Sequence, residues 1–179
     1  MEEADRDGAL ADFNKAIELN PKLGVAYLNR AHIKGSNGSI DEALADYNKA
    51  IELKPDSATA LNNRAEFKRK KGDVSGALID FNRAIELKPD SALIYSNRSM
   101  TRRMNRDLEG AMADCERAIE LKPELAIAYN NRAMIKKDKG DLDGALSDLE
   151  KAISLEPRTE GFRINRDKLL EIKKGQMNG

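Results

Sequence analysis

Apolar residues recur along this chain at the spacing of one helical face, in pairs of segments separated by short polar turns. In residues 24–57, a first segment at about 25–35 and a second at about 40–53 each carry apolar residues three to four positions apart. The turn between them, 36–39, contains a glycine, and Pro55 forbids continuation of the second segment as a helix. The pattern therefore predicts two amphipathic helices joined by a tight turn.

The same pattern repeats with a period of 34 residues, and all five prolines follow it: Pro21, Pro55, Pro89, Pro123 and Pro157. A fixed period of this size indicates stacked repeats, each too small to bury its own apolar face. We predict a single all-α solenoid domain of ten helices. Its parts are a half repeat (1–23), four full repeats (24–57, 58–91, 92–125 and 126–159), a C-terminal capping helix (160–175) and a frayed tail (176–179).

Small residues recur where the predicted helices would touch. They are Ala31, Ala65, Ser99 and Ala133 in the first helices, and Ala43, Ala77, Ala111 and Ala145 in the second helices, followed by Ala50, Ala84, Ala118 and Ala152. With the period and the two-helix plan, they make residues 4–170 resemble the tetratricopeptide repeat family. The resemblance implies a right-handed superhelix of antiparallel helix pairs with a concave, peptide-binding face.

Composition narrows the class of function. Lysine plus arginine and aspartate plus glutamate each number 31, and aromatic residues are only 4%, which disfavours nucleic acid as a partner. No apolar run approaches the roughly 20 residues of a membrane span. The first residues are acidic, unlike a secretory signal, so a cytoplasmic location is the default. His32 and Cys115 stand outside any metal-binding or nucleophile motif, so we predict a non-enzymatic protein without metal or cofactor.

One arginine and one aspartate per repeat also follow the period. Pairing each aspartate with the arginine 18 residues later leaves none over, whereas pairing each arginine with the aspartate 16 residues later gives only four pairs. We therefore predict structural ion pairs that join each second helix to the first helix of the next repeat. The alternative is that the arginines face an acidic ligand. The residues are Asp12, Arg30, Asp46, Arg64, Asp80, Arg98, Asp114, Arg132, Asp148 and Arg166.

The residue before each arginine is an asparagine, a poor helix former in the middle of a predicted helix. By resemblance this position lies on the concave face, where an amide can pair with the C=O and N–H of an extended peptide. The alternative is that duplication copied a harmless surface residue. The predicted peptide-binding residues are Asn29, Asn63, Asn97, Asn131, Asn62, Asn130, Met100, Met134, Arg103 and Lys137. Their methionines and basic residues favour an amphipathic or acidic segment of a protein, although the cations can also simply complement the helix dipole.

Residues 1–23 predict a second helix without its first-helix partner, and its inner face stays apolar. The favoured function is a protein-binding scaffold. A different function is self-assembly through this face, either by isologous contact or by helix exchange. A third possibility is a targeting module belonging to a larger enzyme. The residues of the predicted self-association face are Leu10, Phe13, Ala16 and Ile17.

Overall fold

The structure is a computed structural model that describes residues 3–177, with side chains from residue 6 to residue 176. Within that range it has ten α-helices and no strand, so the predicted all-α solenoid class is confirmed. The helices are α1 (Glu3–Leu19), α2 (Gly24–Ser36), α3 (Ile40–Leu53), α4 (Ala58–Lys71), α5 (Val74–Leu87), α6 (Ala92–Met104), α7 (Leu108–Leu121), α8 (Ala126–Asp138), α9 (Leu142–Leu155) and α10 (Glu160–Met177).

Two compact units divide the chain, and each is a stack of helices. Unit 1 spans Met1–Pro89 and unit 2 spans Asp90–Gly179. In unit 1 the hairpins α2–α3 and α4–α5 pack on each other through α3 and α4, and α1 packs on α2. In unit 2 the hairpins α6–α7 and α8–α9 pack through α7 and α8, and α10 packs on α9.

The helix ends agree with the predicted turns except at the C-terminus. The predicted frayed tail began at Gln176, but α10 continues to Met177, and residues 178–179 lie outside the described range. At three turns a glycine takes a positive φ of 87–89°, whereas the corresponding Arg106 adopts a φ of 63°. A side chain at positive φ costs free energy, so this turn is the strained copy.

Aspartates cap the N-termini of three of the second helices. Asp73, Asp107 and Asp141 each accept a hydrogen bond of 2.9 Å from the backbone N–H three residues later. Each bond satisfies one of the amide groups that a helix leaves free at its first turn.

In each of α3, α5, α7 and α9, one large or sulphur-containing side chain is completely buried. The Tyr47 ring lies 5.5 Å from that of Phe67, between centroids, and burial raises the pKa of the Tyr47 hydroxyl to about 12. Cys115 occupies the equivalent position in α7, and burial raises its pKa to about 12 as well. Because a thiolate is the reactive form of cysteine, Cys115 is an inert core residue.

Arginines and aspartates pair within each hairpin, so the predicted pairing between repeats is wrong. Arg64 donates to Asp80 from Nε at 2.8 Å and from Nη2 at 2.6 Å. The same two-bond geometry, at a separation of 16 residues, recurs in Arg30–Asp46, Arg98–Asp114 and Arg132–Asp148. The bonds to Asp46 raise the pKa of the Arg30 guanidinium, although burial opposes that rise.

The prediction failed because it assumed that every aspartate and every arginine of the series has a partner within the series. The described chain has no first helix before α1 and no second helix after α10, so Asp12 and Arg166 fall outside the in-hairpin series. Asp12 is exposed on α1, and Arg166 pairs instead with its neighbour Asp167 at 2.8 Å. A link between repeats does exist, but its acceptor is an asparagine: Arg64 Nη1 donates to Asn48 at 2.9 Å.

A second cation contacts each buried aspartate. Lys68 Nζ lies 2.9 Å from Asp80 Oδ2, and Lys34, Arg102 and Lys136 repeat this contact at 3.2, 3.1 and 2.9 Å. Each second helix therefore holds a carboxylate between two cations of its own first helix. The aspartates are buried, whereas the cations keep part of their surface in solvent.

Replacement of Asp80 by alanine should lower the free energy of unfolding by about 2–4 kcal/mol, because Arg64 and Lys68 would keep partly buried charges without their acceptor. Urea unfolding followed by circular dichroism at pH 7 measures this loss. Asp12→Ala is the matched control, since Asp12 holds the same place on α1 but is exposed, and should change stability by no more than about 0.5 kcal/mol. Equal losses in the two variants would contradict the structural role of the buried aspartates.

Candidate functional site

The predicted asparagine row does not form one continuous ligand surface. Asn29 is exposed, Asn63 and Asn97 are half-buried, and Asn131 is buried. Asn131 Nδ2 donates to both the carbonyl oxygen and the hydroxyl of Ser96, each at 3.0 Å. Its amide nitrogen therefore ties α8 to α6 and is already occupied, so we leave Asn131 out of the candidate site.

The neighbouring asparagines are also used inside the fold. Asn62 and Asn130 are buried, which is the opposite of what a ligand contact requires. Asn62 donates to Asn63 Oδ1 at 3.1 Å, and Asn130 Oδ1 accepts from Asn165 on α10 at 2.9 Å. The sequence could have predicted that not all of these asparagines face a ligand. Consecutive helical residues point about 100° apart, so two adjacent asparagines cannot face one ligand equally.

The basic residues of the predicted site are largely neutralised. Arg103 donates to Asp138 from Nε at 2.6 Å and from Nη2 at 3.2 Å, and Lys137 Nζ lies 4.0 Å from the same carboxylate. In unit 1, Arg69 pairs with Glu66 at 3.0 Å. Sequence reasoning missed Asp138 as an acceptor, since it comes 35 residues after Arg103 and the two meet only when α6 and α8 pack.

An apolar surface remains open on the first helices of unit 2, and we call it the unit-2 face. Its exposed members are Leu93, Met104 and Ile164, with 50%, 46% and 43% of their surface accessible. Its half-buried members are Met100, Ile127 and Met134.

The unit-2 face is continuous across α6 and α8, because its positions match along each of these helices and between them. Leu93, Met100 and Met104 are spaced by seven and four residues, which places them on one side of α6. Ile127 and Met134 hold the equivalent places on α8, which contacts α6. The hydrogen bond between Asn165 and Asn130 sets α10 beside α8, and Ile164 is the exposed residue before Asn165 on α10.

The inner face of α1 is the other apolar surface that the fold leaves partly open. Phe13 is half-buried, whereas its equivalents on the later second helices, Tyr47, Phe81, Cys115 and Leu149, are completely buried. Leu10, Ala16 and Ile17 are also half-buried. The first helix that covers this position in each later hairpin has no counterpart before α1 in the described chain.

The described residues contain no cluster of three or more metal-ligating side chains. Over the same residues, no helix is long and apolar enough to cross a membrane.

The fold and these surfaces define a helical-repeat protein, and comparisons with known proteins identify its family. A model of the tetratricopeptide repeat matches residues 58–91 and 126–159, and a second model, described as a TPR repeat, matches residues 35–67. Together the matches cover about half of the 179 residues. The chain belongs to the tetratricopeptide repeat family. Proteins of this family are generally non-enzymatic scaffolds for protein interactions.

Solved structures share the fold at low sequence identity. TTC0263, a thermophilic TPR protein of Thermus thermophilus, has a TM-score of 0.79 at 22% identity, covering 92% of this chain and 90% of its own. MamA has a TM-score of 0.74 at 22% identity over 89% and 93% of the two chains. YrrB, described as a TPR protein with an unusual peptide-binding site, has a TM-score of 0.67 at 25% identity over 90% and 84%. A comparison with curated protein sequences finds no match.

Replacement of Asn131 by alanine should destabilise the protein, because it removes two buried hydrogen bonds between α8 and α6. Asn29→Ala is the matched control, since it gains the same helix propensity at an exposed place. We expect Asn131→Ala to be less stable than Asn29→Ala by about 1–2 kcal/mol in urea unfolding. Equal stabilities would show that the Asn131 amide contributes nothing to the fold and would return it to the candidate ligand surface.

Proposed function

We propose that this protein is a scaffold that binds an amphipathic helical segment of a partner protein on the unit-2 face. The observation that carries the proposal is the exposure of three large apolar side chains on first helices of unit 2: Leu93 and Met104 on α6, and Ile164 on α10. A partner that covers them gains about 1.5–3 kcal/mol for each side chain taken fully from water, and proportionately less for one already half-covered. The half-buried Met100, Ile127 and Met134 extend the apolar surface across α6 and α8. An extended apolar surface marks an interaction site, whereas scattered apolar residues do not.

The chemistry of the face favours an apolar helix over an extended, sequence-tolerant peptide. Methionine side chains are flexible and polarisable, so Met100, Met104 and Met134 can adapt to the side chains of a bound helix. A helix presents anchors at positions i, i+3, i+4 and i+7, which suits a surface of parallel helical ridges. The amide ladder needed for an extended backbone is weakened here because the Asn131 amide is engaged with Ser96. The peptide-binding site named for YrrB supports peptide binding by a similar fold.

A labelled probe helix tests this proposal. The probe is a 16-residue amidated peptide with leucine at positions 1, 4, 5 and 8 and neutral polar residues elsewhere, with binding followed by fluorescence anisotropy. The double variant Leu93→Asp with Ile164→Asp should bind it at least 10-fold more weakly, because both charges would have to lose water on binding. Both residues are exposed, so the fold should tolerate the changes.

Ile79→Asp is the control, because Ile79 is 68% exposed but belongs to α5 of unit 1 and not to the unit-2 face. It should change the affinity less than 2-fold. A wild-type protein that does not bind the probe, or an Ile79→Asp variant that loses as much affinity as the double variant, would overturn the proposal.

Self-association through α1 is a second candidate function, which the half-buried Phe13 favours. A second copy that packed on Leu10, Phe13, Ala16 and Ile17 would cover Phe13. Phe13 would then be buried like its four equivalents on the later second helices. The contact would be isologous or would exchange helices between copies.

Light scattering across a range of protein concentrations tests self-association. The wild type should exceed its chain mass of 19.9 kDa as concentration rises, and both Leu10→Glu and Phe13→Glu should remain at that mass with unchanged helical content. Leu19→Glu is the control, because Leu19 lies on the same helix but is already 76% exposed. A wild type that stays monomeric, or assembly that survives both face variants, would reject this function.

A further inference from the structure

A pocket of about 340 Å³ opens in unit 1 where the starts of α2 and α4 meet the end of α3. Leu28 and Leu53 line it with half-buried aliphatic side chains, and the buried Ala60 closes it on the side of α4. Lys22 and Lys54 also line it and are exposed. The site therefore combines an apolar wall with two cations.

The repeats allow a comparison of this place with its equivalents inside unit 2. In the third repeat, Ala92 and Leu125 replace Gly24 and Ser57. Ala92 is buried there, and Leu125 packs against it, so a side chain of the chain itself occupies the place. In the fourth repeat the place of Ala60 is taken by Phe162, which is buried against Ala126 and Ala152.

Two residues of the unit-1 pocket are smaller than their equivalents in the third repeat. Gly24 has no side chain, and a Cβ added there would lie 3.5 Å from Leu53 Cβ, in ordinary contact with the pocket wall. Ser57 is too small to fill the space that Leu125 fills in the third repeat. Gly24 and Ser57 therefore leave open the space that Ala92 and Leu125 fill in the third repeat.

Charge separates the unit-1 copy from the others in the same way. Lys22 and Lys54 have no ion-pair partner among the residues that the structure describes. The equivalent residues are Asp90 and Lys122 in the third repeat, and Glu124 and Glu156 in the fourth. The pocket therefore carries two positive charges, whereas the equivalent pair is neutral in total in the third repeat and doubly negative in the fourth.

We infer that this pocket is a second binding site, which takes an aliphatic side chain flanked by carboxylates in a partner segment. The aliphatic side chain enters between Leu28 and Leu53, and the flanking carboxylates face Lys22 and Lys54. The inference extends the proposed scaffold function but places the second site in unit 1. This site prefers an acidic segment, whereas the unit-2 face prefers an apolar one, since that face is apolar and its cations are paired. The two units would then recognise different segments.

A short acidic probe tests the inference. The probe is the labelled peptide acetyl-Glu-Glu-Leu-Glu-Glu-amide, with Lys-Lys-Leu-Lys-Lys and Glu-Glu-Ala-Glu-Glu as matched peptides. The wild type should prefer the first probe to either of the others by at least 5-fold. The double variant Lys22→Asp with Lys54→Glu uses residues that stand at these places in other repeats, and it should weaken binding at least 10-fold. Binding should also weaken as sodium chloride rises from 0.05 to 0.5 M.

Three further variants make the result decisive. Lys88→Glu is the control, because Lys88 is exposed in unit 1 one repeat after Lys54, and it should leave the affinity within 2-fold of the wild type. Ala60→Phe copies Phe162 and should block the pocket without changing its charge. If that variant fails to fold, Gly24→Ala fills part of the same space without strain and should weaken the leucine probe but not the alanine one.

The inference is overturned if the wild type binds the basic peptide as well as the acidic one, or if the charge-reversed variant keeps the wild-type affinity. Its failure is separable from failure of the proposed function, because Leu93→Asp with Ile164→Asp should leave binding of the acidic probe unchanged. Likewise, Lys22→Asp with Lys54→Glu should leave binding of the apolar probe helix unchanged.

Discussion

Each hairpin of this protein depends on one buried carboxylate held between two cations. Asp80 accepts two bonds from Arg64 and contacts Lys68, and three other hairpins repeat the arrangement. Removing the charges from water costs nearly as much free energy as their attraction contributes, so each ion pair adds little net stability. The penalty for a misplaced helix is large, because a shifted register would leave a buried charge without its partners. The pairs therefore fix how each first helix lies on its second helix, and so which residues the first helices present to a partner.

Much of the fold was predictable, because helical periodicity and a fixed repeat are local properties of the sequence. The pairing of charges was not. Spacings of 16 and 18 residues both fit the repeat, and only the packing of α4 on α5 selects Asp80 as the partner of Arg64. The role of Asn131 was equally hidden, since it depends on how closely α8 approaches Ser96 of α6. The neutralisation of Arg103 by Asp138 has the same cause, a contact between helices one repeat apart.

A comparison of the repeats distinguishes the candidate binding surfaces from the residues that hold the helices together. The buried aspartates and small residues recur in every hairpin, whereas the residues of the two candidate sites do not. Gly24 and Ser57 leave open a place that Ala92 and Leu125 fill in unit 2. Leu93 and Met104 make one face of α6 apolar, whereas α4, the equivalent helix of unit 1, carries Thr59 and the Glu66–Arg69 pair. A repeat protein can thus change its partner by substitution at exposed positions, while the charge pairs keep the helices in place.

Carbon-13 NMR of the methionine methyl groups tests the central claim most directly, because methionines lie both on the unit-2 face and away from it. Met100, Met104 and Met134 belong to that face, whereas Met112 lies on α7 beside the core residue Cys115. On titration with the apolar probe helix, the first three signals should move together with one saturation curve while the Met112 signal stays in place. Saturable binding that moves Met112, or that leaves Met100 and Met134 unmoved, would contradict recognition on the unit-2 face.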